Sequence, residues 1–159
     1  MAAPPALSIR EQIFVDLKTT LEGITQANGY AWDIGTVSRG QLAPLETSLL
    51  PLAGIMPAED PPEYRPGTLH RRLLFATRLW VDVTLAAETA SGLEALIADV
   101  QLALRVDPQR SGLAEDTREA EGIGIKWLYL PGGETLAGAD IFWEIDYKTA
   151  LNSPLAGPD

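Results

Sequence analysis

Residues 73–87 read LLFATRLWVDVTLAA, and their reading decides the fold. Phe75, Thr77, Leu79, Val81, Val83 and Leu85 share one parity, while Leu74, Ala76, Arg78, Trp80, Asp82 and Thr84 share the other. A strand turns successive side chains to opposite faces, so this alternation predicts one long strand with an apolar core face. At this length it must twist or project past the domain body. A second stretch, DIFWEIDYKT at 140–149, repeats the pattern: Ile141, Trp143, Ile145 and Tyr147 on one face, Asp140, Phe142, Glu144, Asp146 and Lys148 on the other. Glu144 and Asp146 are therefore either the wet face of a sheet, a charged assembly face, or a pair of working carboxylates.

Helices are signalled on both sides of this pair. Ser8 with Glu11 forms a capping box, and Ile9, Ile13, Leu17, Leu21 and Ile24 recur as one apolar stripe. Asn28-Gly29 is expected to end that helix, with Gly29 left-handed at its C-terminus. Ser91 with Glu94 makes a second capping box, and Leu93, Ile97, Val100 and Leu104 continue as a second stripe up to Pro108. Shorter strands are expected at 34–38, 52–57 and 123–130, the last joined to the final strand by PGGET, a hairpin-type connection. Pro44, Pro51, Pro57, Pro61, Pro62 and Pro66 forbid a long helix between the first two segments, and 58–69 reads as an extended loop. Residues 107–122, with five acids and two bases, read as a solvated loop. The predicted order is α-β-β-β-α-β-β. It defines an α+β fold, a mainly antiparallel sheet with two helices packed on one face. One domain is expected over residues 8–150, with a flexible N-terminal tail at 1–7 and a C-terminal tail at 151–159.

Composition narrows the function classes. The chain of 159 residues has no cysteine, which removes disulfides, thiolate metal sites and cysteine nucleophiles, and fits a reducing cytoplasm. Its N-terminus lacks the pattern of a signal peptide, and no apolar run is long enough for a membrane helix. Net charge is −10 with only twelve Lys and Arg, so phosphate-driven DNA binding is not expected, even at the densest basic group, Arg71, Arg72 and Arg78 beside His70.

No motif for chemistry emerges. His70 is the only histidine, with no HExxH and no GxSxG serine to complete a zinc site or triad. GIGIKW and PGGET do not have the spacing of a phosphate-cradling loop. Catalysis by Glu144 and Asp146 would require a cleft, or environments that separate their pKa values. The outer face is more informative. Leu74, Trp80 and Phe142 sit there among Arg78, Asp82, Glu144, Asp146 and Lys148, a mixture suited to an interface. The alternative is that a loop or the sheet's own curvature covers the aromatics.

Taken together, the first helix running into ITQANGYAWDIGTVSRG, the strand LPLAGIMPAEDP, LLFATRLWVDVTLAAE feeding LEALIADVQLAL, and the final IKWLYLPGGETLAGADIFWEIDYKTALNSP resemble the tail terminator (minor tail, tube-capping) proteins of long-tailed bacteriophages. The resemblance covers roughly residues 8–154. It implies a structural subunit with no cofactor and no enzymatic activity, located in the virion at the tail–head junction and assembled in the host cytoplasm. It would close into a homo-hexameric ring on the tail-tube protein, stop tube polymerisation and join the head or neck connector proteins. DNA would meet it only in transit through the lumen, and no membrane is involved. On this reading Trp80 and Phe142 are the apolar anchors of ring contacts, with Arg78, Asp82, Glu144 and Asp146 setting register. Glu115, Asp116, Glu119 and Glu121 are the candidate lumen-facing acids, and Trp80→Asp is expected to weaken oligomerisation without unfolding the chain. A neck or head-completion protein is the nearest alternative; a small carboxylate enzyme or ligand-binding module is the more distant one.

Overall fold

The computed structural model describes residues 6–40, 50–82, 89–128 and 136–157, with the side chains of 89–91 excluded. Most of the predicted N-terminal tail (1–5), the predicted continuation of the long strand over 83–87, the PGGET segment read as a hairpin connection (131–135) and the last two residues lie outside that description. The architecture is α+β, in the predicted order. Helix α1 (Ile9–Glu22) is followed by strands β1 (Thr36–Arg39), β2 (Leu52–Glu59), β3 (Pro62–Arg65) and β4 (Thr68–Asp82). Helix α2 (Thr89–Val106) then leads to β5 (Asp116–Glu119), β6 (Ile125–Leu128) and β7 (Leu136–Ala150). Two of these strands, β3 and β5, are short additions inside the segments read as loops.

The alternating pair forms the spine. β4 and β7 run antiparallel in unbroken register from Thr68 opposite Ala150 to Asp82 opposite Leu136. The sheet order is β1-β2-β4-β7-β5, with β3 also on β4 and β6 also on β7. Among the described residues only β1 and β2 pair in parallel. Both helices pack on one face, where Leu73, Phe75, Leu79 and Val81 of β4 meet Ala139, Ile141, Trp143, Ile145 and Tyr147 of β7. Ile13, Leu17, Leu21 and Ile24, together with Leu93, Ile97, Val100 and Leu104, are the helical side of that core, as their periodicity predicts. Trp143 is fully buried and its indole N–H donates to Thr77 Oγ1 at 3.1 Å, so the polar edge of the largest core side chain is satisfied.

Several boundaries differ from expectation. Ser8 does cap α1, its hydroxyl accepting from the Glu11 N–H at 3.1 Å, but the Glu11 carboxylate does not return the bond. It instead accepts from Arg39 Nη1 at 2.6 Å and Nη2 at 3.1 Å, tying the helix to β1. α1 ends at Glu22, six residues before Asn28, because a separate 3-10 turn at Gln26–Asn28 takes over; Gly29 (φ 92°) is left-handed at the end of that turn. α2 begins at Thr89, two residues before the predicted cap at Ser91. Asp99 of α2 holds the connection into β1 by accepting from the N–H groups of Ala31 (3.1 Å) and Trp32 (2.9 Å).

The acidic stretch 107–122 is not simply solvated. Arg110 is wholly buried: its Nη2 donates to the carbonyls of Leu104 (2.8 Å) and Asp107 at the end of α2, and its Nη1 reaches Asp16 of α1 at 3.4 Å. A guanidinium can satisfy several last-turn carbonyls at once, which no apolar residue could do here. The C-terminal tail is likewise structured in part, since the Pro154 carbonyl accepts the first helical N–H of α1, from Ile9, at 2.9 Å.

Candidate functional site

The outer face of the sheet, the one without helices, carries every residue that the sequence marked for interfaces on β4 and β7. Cross-strand register arranges this face in rows. At one end, Leu52 of β2, Trp80 of β4, Gly138 of β7 and Leu128 of β6 stand side by side across four strands. Next come Arg78, Asp140 and Lys126, then Met56, Ala76 and Phe142. The opposite end is charged: Leu74, Glu144 and Arg118 in one row, Arg72, Asp146 and Asp116 in the next, then Glu63, His70 and Lys148.

Trp80 requires a correction. It lies on the outer face as read, but only 3% of its surface is exposed, and with Leu50 and Leu52 it forms a second small core bordered by Leu128 and Leu136. Its indole fills the space left by Gly138, where a Cβ would lie 2.5 Å from the ring. Trp80 is therefore a packing residue, not an exposed ring anchor, and Trp80→Asp would put a charge into an apolar cluster. The sequence signal was the glycine opposite a tryptophan in the long pair, legible only once register is known. Phe142 is half-buried, with the Lys126 ammonium 5.4 Å from its ring centroid.

The carboxylates that opened the question are held by cations. Arg118 Nη1 donates to Asp146 Oδ2 at 2.6 Å and Arg118 Nη2 to Glu144 Oε2 at 3.0 Å. Arg72 Nε donates to the other oxygen of Asp146 at 3.1 Å. Partial burial pushes Asp146 up, but the hydrogen bonds from Arg118 and Arg72 outweigh it and hold the carboxyl below the usual aspartate range. The same bonds, that to Asp146 foremost, hold Arg118 charged. Arg78 grips Asp140 with two 2.7 Å bonds, from Nε and Nη2, in the parallel geometry in which Arg–carboxylate pairs are strongest. Asp82 lies at the far end of β4.

The four acids grouped as a lumen-facing loop do not form one cluster. β5 splits them: Asp116 faces outward beside Arg118 (3.3 Å), while Glu119 faces the helices and accepts from Gln101 of α2 at 2.7 Å. Glu115 pairs with Lys148, and Glu121 is exposed in the turn after β5. A strand alternates its side chains, so acids three apart cannot share a face. The basic group at 70–78 is divided in the same way. Arg72 and Arg78 point outward, whereas Arg71 donates to the Asp60 carbonyl at 2.9 Å.

Asp60, in the β2–β3 connection, belongs to a network that sequence reasoning missed. Its Oδ2 accepts from the Tyr147 hydroxyl at 2.5 Å and from Arg10 Nη1 at 2.9 Å. Burial, reinforced by the bond to Asp60, raises the Tyr147 hydroxyl well above the usual tyrosine range, so it stays a donor. Beside it, a cleft of about 310 Å³ opens on the charged end of the outer face between the β3–β4 hairpin, Glu115 and β7.

The sequence matches no known protein family, and no curated protein is similar to it. Among the described residues no helix is long and apolar enough to cross a membrane.

Proposed function

We propose that this chain is a structural assembly subunit, a tail terminator that caps a phage tail tube as a ring in the virion and offers a surface for head joining. The observation that carries this reading is the outer face itself. It is a partly exposed face of the seven-stranded sheet on which the inviting carboxylates are committed to Arg118, Arg72 and Arg78. Ionised carboxylates already fixed by guanidiniums are poor general acids or bases, since catalysis needs a group poised to exchange its proton. They are well suited to present a rigid, patterned surface to a neighbour. With Trp80 taken into the second core, Phe142 with Lys126, and the Arg118 network, are the groups left to make such contacts. An acidic chain also lets DNA slide past without trapping it.

Light scattering of the chain alone and mixed with its cognate tail-tube protein, followed by negative-stain imaging, tests the proposal. Sixfold rings or tubes of uniform length capped at one end are the expected result. Unregulated tube growth with no binding would reject it in favour of a neck or head-completion protein.

A further inference from the structure

The two helices present different surfaces to water. α1 satisfies its own exposed charges, with Lys18 and Glu22 paired one turn apart at 3.5 Å. α2 instead exposes Glu94, Ala98, Leu102, Arg105 and Val106. Leu102 is 62% exposed and Val106 77%, the latter more than any other large hydrophobic residue described. Spaced by four, Ala98, Leu102 and Val106 form one apolar seam along the helix, opposite the stripe that fills the core.

Charge selects what covers that seam. Among the described residues Arg105 is the one arginine without a carboxylate partner; every other arginine has one within 3.7 Å. Glu94 has no cation partner among them either. A cation in the last turn suits the carbonyl end of α2, but that does not account for the exposed hydrophobic pair beside it. Glu94 and Arg105 lie about 16 Å apart along the helix, too far to meet within one chain. They sit on the same flank of the seam. An antiparallel copy of α2 brings same-flank positions together from opposite ends, whereas a parallel copy keeps them apart. With the two-fold axis near the level of Val100, Glu94 of each copy meets Arg105 of the other. The same register sets Leu102 against Ala98, a large side chain against a small one.

We propose that α2 is a self-docking surface. Two copies of the chain pack antiparallel through Ala98, Leu102 and Val106, and Glu94 and Arg105 pair across the two-fold axis. Such a contact is isologous and closes at two copies. It lies on the helix side, leaves the outer face of the sheet free, and does not rest on the tube-capping reading. The seam from Glu94 to Val106 is about 18 Å long. That is short for a permanent interface, so the dimer is weak and reversible.

Sedimentation equilibrium of the intact chain alone, from about 10 μM to about 1 mM, is the test. A monomer–dimer equilibrium is expected. Glu94→Arg and Arg105→Glu should each weaken dimerisation by roughly tenfold, because each sets like charges together at both ends of the seam. The double variant Glu94→Arg/Arg105→Glu restores opposite charges and should dimerise as the parent does. Leu102→Asp should leave the chain monomeric. These side chains are exposed, so the variants should keep the fold, as circular dichroism would verify; if Leu102→Asp does not, the charge swap decides alone. A chain that stays monomeric throughout, single reversals without effect, or a swapped variant no stronger than the single reversals would overturn the proposal. So would a sixfold species that Leu102→Asp fails to dissociate, which would point to a ring built on other contacts. The experiment contains no tail-tube protein, so its failure and a failure of tube capping are separate results.

Discussion

The two faces of one sheet, built from the same two strands, obey different rules. On the helix-side face Leu73, Phe75, Leu79, Ile141, Trp143 and Ile145 are buried among apolar neighbours, and burial alone explains their places. On the outer face the same strands carry arginines and carboxylates whose places depend on partners on neighbouring strands, far away in sequence. The first face is stabilised by the removal of apolar area from water, which is non-directional and tolerant. The second depends on directional contacts, so its contribution should be smaller and sensitive to pH and salt. Substitutions on each face test that difference.

The largest effect is expected from Trp143→Ala. It would leave a cavity in the main core and strip Thr77 of its indole donor, costing about 3–5 kcal/mol of unfolding free energy in a denaturant titration. A loss under 1 kcal/mol would mean that the helix-side core is not the principal source of stability. The outer face has one region that should behave in the same way, the Trp80 cluster. Gly138→Ala forces a methyl group to within 2.5 Å of the indole, and overpacking of this kind costs about 1–3 kcal/mol. Replacing Trp80 as well by Leu should recover part of that loss, because the smaller side chain leaves room for the new Cβ. Non-additivity between the two substitutions is the signature of direct contact.

The legibility of the sequence followed the same division. Helix-side residues were readable because periodicity is a local property: positions spaced by two, or by three and four, report one face without knowledge of any partner. Thus the α1 and α2 stripes and the odd-numbered residues of β4 and β7 were identified from spacing. The outer face was readable only as a face. That Arg118, placed by sequence in a solvated loop, is the cation of Glu144 and Asp146 depends on β5 pairing with β7 in one register. The same holds for Trp80, whose burial requires Gly138 from a strand more than fifty positions away. Asp60 was missed for a related reason. It sits in a proline-rich connection with no periodicity, and its partners Arg10 and Tyr147 come from opposite ends of the chain.

Local capping gives an intermediate prediction. Ser8→Ala removes the acceptor of the Glu11 N–H and should cost about 1 kcal/mol. The companion Glu11→Gln should cost less, because the Glu11 carboxylate serves Arg39 and not the helix end. Equal losses would imply a reciprocal capping box in solution and a different α1–β1 contact.

The smallest effect belongs to the carboxylates of DIFWEIDYKT. Asp146 is held below its ordinary pKa in the folded chain, so the proton binds more tightly to the unfolded state. Its contribution is therefore present in full at neutral pH and fades as the pH drops from about 4 through the depressed folded value. Asp146→Asn should lower stability at pH 7 by no more than about 1 kcal/mol, since the group is part-exposed and screened. Its more telling consequence is a flatter acid limb: parent and variant should converge once the pH has fallen below the depressed folded value, where the parent carboxylate is itself protonated. Added salt should narrow the gap at pH 7 but leave the Trp143→Ala loss unchanged, because screening acts on ion pairs and not on buried apolar contacts. Curves that stay parallel down to acid would show that Asp146 acts through its shape and hydrogen bonds, and that the charge on the outer face contributes nothing to holding the sheet together.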